Sequence, residues 1–283
     1  MPELPEVEVI RRALAPQLQG RRIVALACGE KRLRAQSSPE VLREWLPGRR
    51  IVRLTRRGKY LLLELEGGVT VLLHLGMTGR LLLGHLGGDK ALPHVHLTLT
   101  LEDGNCLLFQ DVRRFGQILV YPPGETPEPL ARVGQEPFSR RVTPAWLQEQ
   151  ARHRRRPVKN FLLDGRILAG IGNIYAAEIL FAVGLHPETP VGDLTLPQWE
   201  AVLKTTRRIL KRAIARGGTT VNDYLQPGGT TGLFQVELAV YGREGEPCSR
   251  CRAPIQRLVQ AGRSTFFCPR CQPAPRGRAP QTG

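Results

Sequence analysis

Hydrophobic positions at the head of the chain recur every three or four residues, at Val7, Ile10, Leu14 and Leu18, with Arg11, Arg12 and Gln17 between them. This spacing predicts a helix with one apolar face turned to a core and Gly20 as its stop. The period then shortens. Alternating or continuous apolar runs at 23–27, 51–54, 60–65, 69–75, 95–101, 106–109 and 117–121 read as short strands, separated by turns such as Gly67-Gly68 and Asp103-Gly104. Many short strands at this spacing predict an antiparallel sandwich or barrel. The texture changes again at 122–142, where Pro122, Pro123, Pro127, Pro129 and Pro137 mark a linker. Helical signals follow. Thr143-Pro144 reads as a cap with proline in the first turn, and Trp146-Leu147 as inward-facing residues. Gly170 and Gly172 permit a tight turn from which Asn173 can cap a helix over 174–183. A long helix is predicted over 197–216, stopped by Gly217-Gly218.

Composition sharpens this picture in two respects. The 283 residues carry 41 Lys and Arg against 25 Asp and Glu, a net charge of +16 that implies a polyanionic partner, nucleic acid before membrane. No run reaches the ~18 apolar residues of a membrane span and no signal peptide opens the chain, so a reducing, cytoplasmic location is expected. Four of the six cysteines form two pairs, Cys248-x2-Cys251 and Cys268-x2-Cys271, with sixteen residues between them. Four thiolates in two knuckles predict one closed, structural Zn2+ site rather than disulfides. Cys28 and Cys106 stand alone and read as small core side chains. The tail 273–283 is expected to be disordered.

The chain opens Met-Pro-Glu-Leu-Pro-Glu-Val-Glu. Removal of Met1 would leave Pro2 with a free secondary amine, a nucleophile towards an aldehyde carbon. A helical start brings Glu3 and Glu6 towards one face, where a carboxyl can give or take a proton; the same residues also make an ordinary helix start. Three polar interruptions break the strand region. Lys59 follows Arg56-Arg57-Gly58 at the mouth of an apolar strand. Met77 lies in His74-Leu75-Gly76-Met77-Thr78-Gly79, a turn, where an apolar side chain can wedge into a base stack. Arg113 and Phe115, in Asp111-Val112-Arg113-Arg114-Phe115-Gly116, can hold a phosphate or an orphaned base and insert a ring. His94 and His96 alternate, which predicts one shared strand face. The basic run 152–156 is either a solvated face or, beside a helix and the glycine turn, a phosphate contact.

The opening octapeptide, together with Arg56-Arg57-Gly58-Lys59-Tyr60-Leu61-Leu62, His74-Leu75-Gly76-Met77, Arg113-Arg114-Phe115-Gly116, the 159–178 stretch and the paired cysteines, resembles the bacterial formamidopyrimidine-DNA glycosylases from residue 1 to about 272. The resemblance implies an α+β multidomain chain: an N-terminal antiparallel β-sandwich with a leading helix (1–121), a linker (122–142), a helical helix–two-turn–helix domain (143–235) and a β-hairpin zinc finger (236–272). It implies a base-excision repair enzyme for damaged double-stranded DNA, monomeric and nucleoid-associated. Oxidised purines such as 8-oxoguanine and formamidopyrimidines would be excised through a Schiff base on Pro2, with β,δ-elimination following. Glu3 would handle protons, Lys59 would assist elimination and Arg263, between the knuckles, would hold the lesion phosphate. Met77, Arg113 and Phe115 would fill the gap left by the flipped nucleotide; Glu6, His74, His94, Arg155, Lys159 and Asn173 would complete the DNA contacts. The segment 219–234 would close over the extruded base. Leu4 and Phe115 separate the chain from the related endonuclease VIII branch, which is directed at oxidised pyrimidines. Val112 departs from the proline common in the family. A non-enzymatic zinc protein that binds nucleic acid through the same basic surface and an enzyme of the oxidised-pyrimidine branch are the alternatives.

Overall fold

The computed structural model describes residues 2–85, 92–217 and 238–275. Two compact units divide the chain, one of Met1–Ala131 with Ile214–Gln235 and one of Arg132–Ala213 with Val236–Gly283.

The first unit begins with helix α1 (Leu4–Leu18), whose Val7, Ile10, Leu14 and Leu18 are all buried. Its strands are β1 (Ile23–Cys28), β2 (Ala35–Gln36), β3 (Ile51–Arg57), β4 (Tyr60–Leu65), β5 (Thr70–His74), β6 (Gly79–His85), β7 (Val95–Leu101), β8 (Asn105–Asp111) and β9 (Gln117–Tyr121). They form two sheets, in the orders β1-β7-β8-β6 and β2-β9-β5-β4-β3. All pairs are antiparallel except the two-residue β2 beside β9. One apolar core joins α1 to both sheets: Leu14 and Leu18 share it with Leu61 and Leu63 of one sheet and Leu99 and Leu107 of the other. The sandwich therefore stands. Among the elements not expected from the pattern are β2, β6, and the helix α2 (Pro39–Trp45), capped by Ser38 accepting from the Val41 amide.

The second unit contains α4 (Pro144–Ala151), α5 (Val158–Leu162), α6 (Asn173–Val183) and the greater part of α7 (Leu196–Ala215); α3 (Glu128–Ala131), a single turn, closes the first part of unit one. Thr143 caps α4 by accepting from the Trp146 amide at 3.1 Å. Leu147 is buried while Trp146 is only half-buried, so one of the two residues expected inside faces the core. The C-terminal hairpin pairs β10 (Gln256–Gln260) with β11 (Arg263–Phe267) and packs on α6 through Ala177, Phe181, Val240, Ile255, Cys248 and Cys268.

Candidate active site

The candidate residues of the N-terminal region lie in the first unit. Pro2 is buried and immediately precedes Glu3, the N-cap of α1, which is 2% exposed. Glu6 turns back, and its Oε2 accepts from the Glu3 amide at 2.9 Å, satisfying a donor the helix start would otherwise leave open. Both carboxylates thus lie at one end of one helix, as the spacing requires. Two residues on, Glu8 binds three guanidiniums: Arg11 at 2.8 Å, Arg12 at 2.8 Å and Arg56 at 3.1 Å. Burial would raise this carboxyl, but the hydrogen bonds from Arg11, Arg12 and Arg56 outweigh it and hold the group at about 2. Arg56 also donates to the Gly58 carbonyl at 2.9 Å. Glu8 therefore ties the helix of Pro2 and Glu3 to the turn that carries Lys59.

That turn is a two-residue hairpin between β3 and β4, with Arg57 paired to Tyr60 and Gly58 at φ 58°. A positive φ at the first central position matches strand twist and favours glycine there. Lys59, half-buried, is thus displayed on a short rigid connection. His74 ends β5, its ring 4.9 Å from that of Tyr60. Burial, then the charges of Lys59 and Arg34, lower its pKa to about 4. The neutral ring accepts from the Gly76 amide through Nδ1 at 3.1 Å, which leaves Nε2 as the donor.

Met77, Arg113 and Phe115 are the exposed members of this group. Met77 is 41% and Phe115 40% exposed, and the Arg113 guanidinium lies 4.8 Å from the Phe115 ring centre. Two loops present them, and the loops are locked together. Asp111, fully buried, accepts from the Thr78 hydroxyl, from the Arg113 amide at 3.2 Å and from the Gly116 amide at 2.7 Å. Gly76, at φ 59°, has no room for a side chain: a Cβ there would come within 2.6 Å of the Phe115 backbone. Sequence reading named the three tips and missed Asp111, the group that aims them; its signal was an acid opening an otherwise basic loop.

The expected face shared by His94 and His96 does not form. His94 precedes β7 at φ 62° and is exposed, whereas His96 is buried between the Lys31 carbonyl at 2.7 Å and the Asp111 carbonyl at 2.8 Å. A left-handed residue and a register shift at Val95/Leu97 break the alternation that the pattern assumed.

In the second unit, Lys159 and Asn173 are drawn to the zinc hairpin. Lys159 is fully buried, its Nζ donating to the Thr265 hydroxyl and to the Ser264 carbonyl at 3.1 Å. Asn173 Nδ2 donates to the same Ser264 carbonyl at 2.9 Å. Asn173 does not cap α6: it is the first residue of the helix, after the N-cap Gly172, and its side chain turns to the hairpin through Nδ2 while Oδ1 accepts from no group among the described residues. Arg263, next to Ser264, is exposed at the start of β11, after a turn whose Ala261 and Gly262 have φ 47° and 72°. Arg155 is exposed on the non-helical segment between α4 and α5. The segment 219–234 and the tail beyond 275 lie outside the described residues.

The four cysteine sulfurs lie within 4.8 Å of one another, with Cys251 and Cys268 3.4 Å apart and Cys248 and Cys271 3.9 Å apart. A tetrahedron of Zn–S bonds sets sulfur separations near ~3.8 Å, so the tetrad fits one zinc ion and is too open for disulfides. Amides of Arg250 and Cys271 donate to the sulfurs of Cys248 and Cys268, each at 3.4 Å, as thiolates require. Four protein ligands close the coordination sphere, so the zinc is structural.

Three family models match the chain: the formamidopyrimidine-DNA glycosylase N-terminal domain over 1–118, its H2TH domain over 133–224, and the zinc finger found in FPG and IleRS over 245–274. A formamidopyrimidine-DNA glycosylase of Acidithiobacillus ferrooxidans is 43% identical, covering 96% of this chain and all of that one. The crystal structure of MutM (Fpg) from Thermus thermophilus has TM-score 0.84 at 40% identity, covering 99% of this chain and 100% of that one. A Lactococcus lactis FPG mutant in complex with Fapy-dG containing DNA has TM-score 0.86 at 34% identity, covering 96% and 100%. With models that span most of its length and relatives alike from end to end, the chain belongs to the formamidopyrimidine-DNA glycosylase family.

Proposed function

We propose that this protein is a bifunctional DNA glycosylase and abasic-site lyase of base-excision repair, removing oxidised purines, 8-oxoguanine and formamidopyrimidines, from duplex DNA. It acts as a monomer on the chromosome in the cytoplasm. The observation that carries this reading is the opening of α1: Pro2 and Glu3, both buried, fixed to the Lys59 turn through Glu8 and Arg56. With Met1 removed, the Pro2 nitrogen attacks C1′ of the damaged nucleotide while Glu3 manages the proton transfers. The base departs and an iminium links Pro2 to the opened sugar. Loss of the C2′ proton expels the 3′ phosphate, and a second elimination expels the 5′ phosphate. Lys59 and Arg263 bind and polarise these leaving phosphates, and His74 offers its Nε2 hydrogen to the backbone. Zinc takes no part in the reaction and holds the hairpin that carries Arg263. Residues 1–121 form the catalytic domain, 143–235 the helical DNA-binding domain and 236–272 the finger, joined by 122–142.

Borohydride trapping on a duplex carrying 8-oxoguanine, followed by peptide mapping, tests this. The adduct is expected on Pro2, and a chain that retains Met1 is expected to bind DNA without reacting, because an amide lone pair is delocalised. An adduct on Lys59 or Lys159 with Pro2 unmodified would overturn the mechanism. Preference for thymine glycol over 8-oxoguanine in the same nicking assay would overturn the substrate class.

A further inference from the structure

A cavity of about 330 Å3 opens in the second unit beside the hairpin tip, lined among others by Arg156, Asn160, Asp164, Arg166, Gln260 and Arg263. Its charge is arranged, not scattered. Asp164, whose side chain is 8% exposed, accepts from Arg156 Nη1 at 2.7 Å and from Arg166 Nε and Nη2, both at 3.1 Å. The hydrogen bonds from Arg166, then those from Arg156, hold this carboxyl well below the usual carboxylate range. One carboxylate thus orients two guanidiniums and neutralises one. Each guanidinium has five N–H donors; Asp164 takes one from Arg156 and two from Arg166, and the rest have no partner among the described residues. Arg263 adds a third guanidinium to the same wall.

We propose that this cavity is a phosphoryl-binding subsite, formed by Arg156, Arg166 and Arg263 around Asp164. Three guanidiniums with unspent donors about one space suit an anion with three or four acceptor oxygens better than a carboxylate with two. The phosphoryl group comes either from the DNA backbone, an arm that rests on the repair function proposed above, or from a free phosphate. Arg166, with a side chain 76% exposed, is the member to remove, since Asp164 keeps Arg156 as a partner.

The test has two arms, each using the full-length zinc-loaded protein. In the first, affinity for a duplex containing a non-cleavable abasic analogue is measured against salt. Arg166→Ala should make the slope of log K against log salt shallower by about 0.9, the share of one phosphate, and Arg156→Ala should act likewise. In the second, inorganic phosphate is titrated into the protein alone; binding is expected in the parent and lost in Arg166→Ala. A changed slope assigns the subsite to DNA. Phosphate binding that Arg166→Ala abolishes, with the slope unchanged, assigns it to a free phosphate. An unchanged slope together with unchanged or absent phosphate binding overturns the proposal. Trapping of an abasic duplex at saturating protein is measured in the parent alongside. Failure of the parent to trap would count against the enzymatic reading alone and leave the phosphate titration intact.

Discussion

Pro2 can direct its nitrogen only if its helix is held still, and the group that holds it is Glu8. Its carboxylate, among three guanidiniums, is ionised in the folded state down to about pH 2, against an ordinary value of 4.5. A depressed carboxyl stabilises the fold above its unfolded pKa and loses that contribution as pH falls through the folded value, here between about 4.5 and 2. The full shift corresponds to about 3 kcal/mol, and about 2 is the expected worth because Arg12 is more than half exposed and solvent screens its share. Glu8→Gln should cost that amount in urea unfolding at pH 7, and the difference from the parent should vanish near pH 2; a deficit that persists there would show a packing effect. At the tips of the other two loops, Met77→Ala and Phe115→Ala should slow excision of a paired lesion more than cleavage of a preformed abasic site. Inserted apolar groups offset unstacking, a few kcal/mol per step, and an abasic site needs less of it. Equal losses on both substrates would place these side chains elsewhere in the reaction.

At the scale of elements, period and turn chemistry made α1, most strands and the hairpin legible, because each buries a face that its own residues define. What escaped was short or decided by distant partners. β2 has two residues and exists only as an edge to β9, and α2 has seven, one of them, Leu42, buried. β6 hides its apolar centre, Leu81 to Leu83, between glycines that read as a turn. The site divided in the same way. Motifs named the groups that project, whereas the groups that aim them act through long-range contacts, Glu8 to Arg56 and Asp111 to Thr78, that spacing does not encode. Asn173 shows the reverse: local chemistry suggested a cap, but the helix starts at Asn173 itself and its side chain turns to the hairpin. The finger follows from this. Chelation of zinc or Cys268→Ser should unfold the hairpin, release Ser264 from Lys159 and Asn173, and displace Arg263. DNA affinity should fall while the sandwich, with its own core, keeps its far-ultraviolet signal. Fully active protein holding less than about half an equivalent of zinc would sink this account.

At the scale of the whole molecule, the question is how far charge, as opposed to the site, governs engagement with DNA. Of the excess of +16, +12 falls in the second unit and +4 in the first, and several arginines are already paired internally, as with Glu8 and Glu64. Cations in excess of their carboxylate partners neutralise phosphates and release counterions; those matched one to one contribute little to that release. Affinity for an undamaged duplex should therefore fall steeply with salt, by on the order of a thousandfold between 50 and 200 mM if about six phosphates are neutralised. Trapping at Pro2 on an abasic duplex, measured with protein in saturating excess at each salt concentration, should change far less, because the site's groups are held by short, partly buried bonds that ions screen weakly. Fluorescence anisotropy against salt gives the first quantity and borohydride trapping the second. A trapping yield that fell in parallel with affinity even at saturation would mean that the general charge of the molecule, rather than the contacts of Glu8, Arg56 and Asp111, positions the reacting groups.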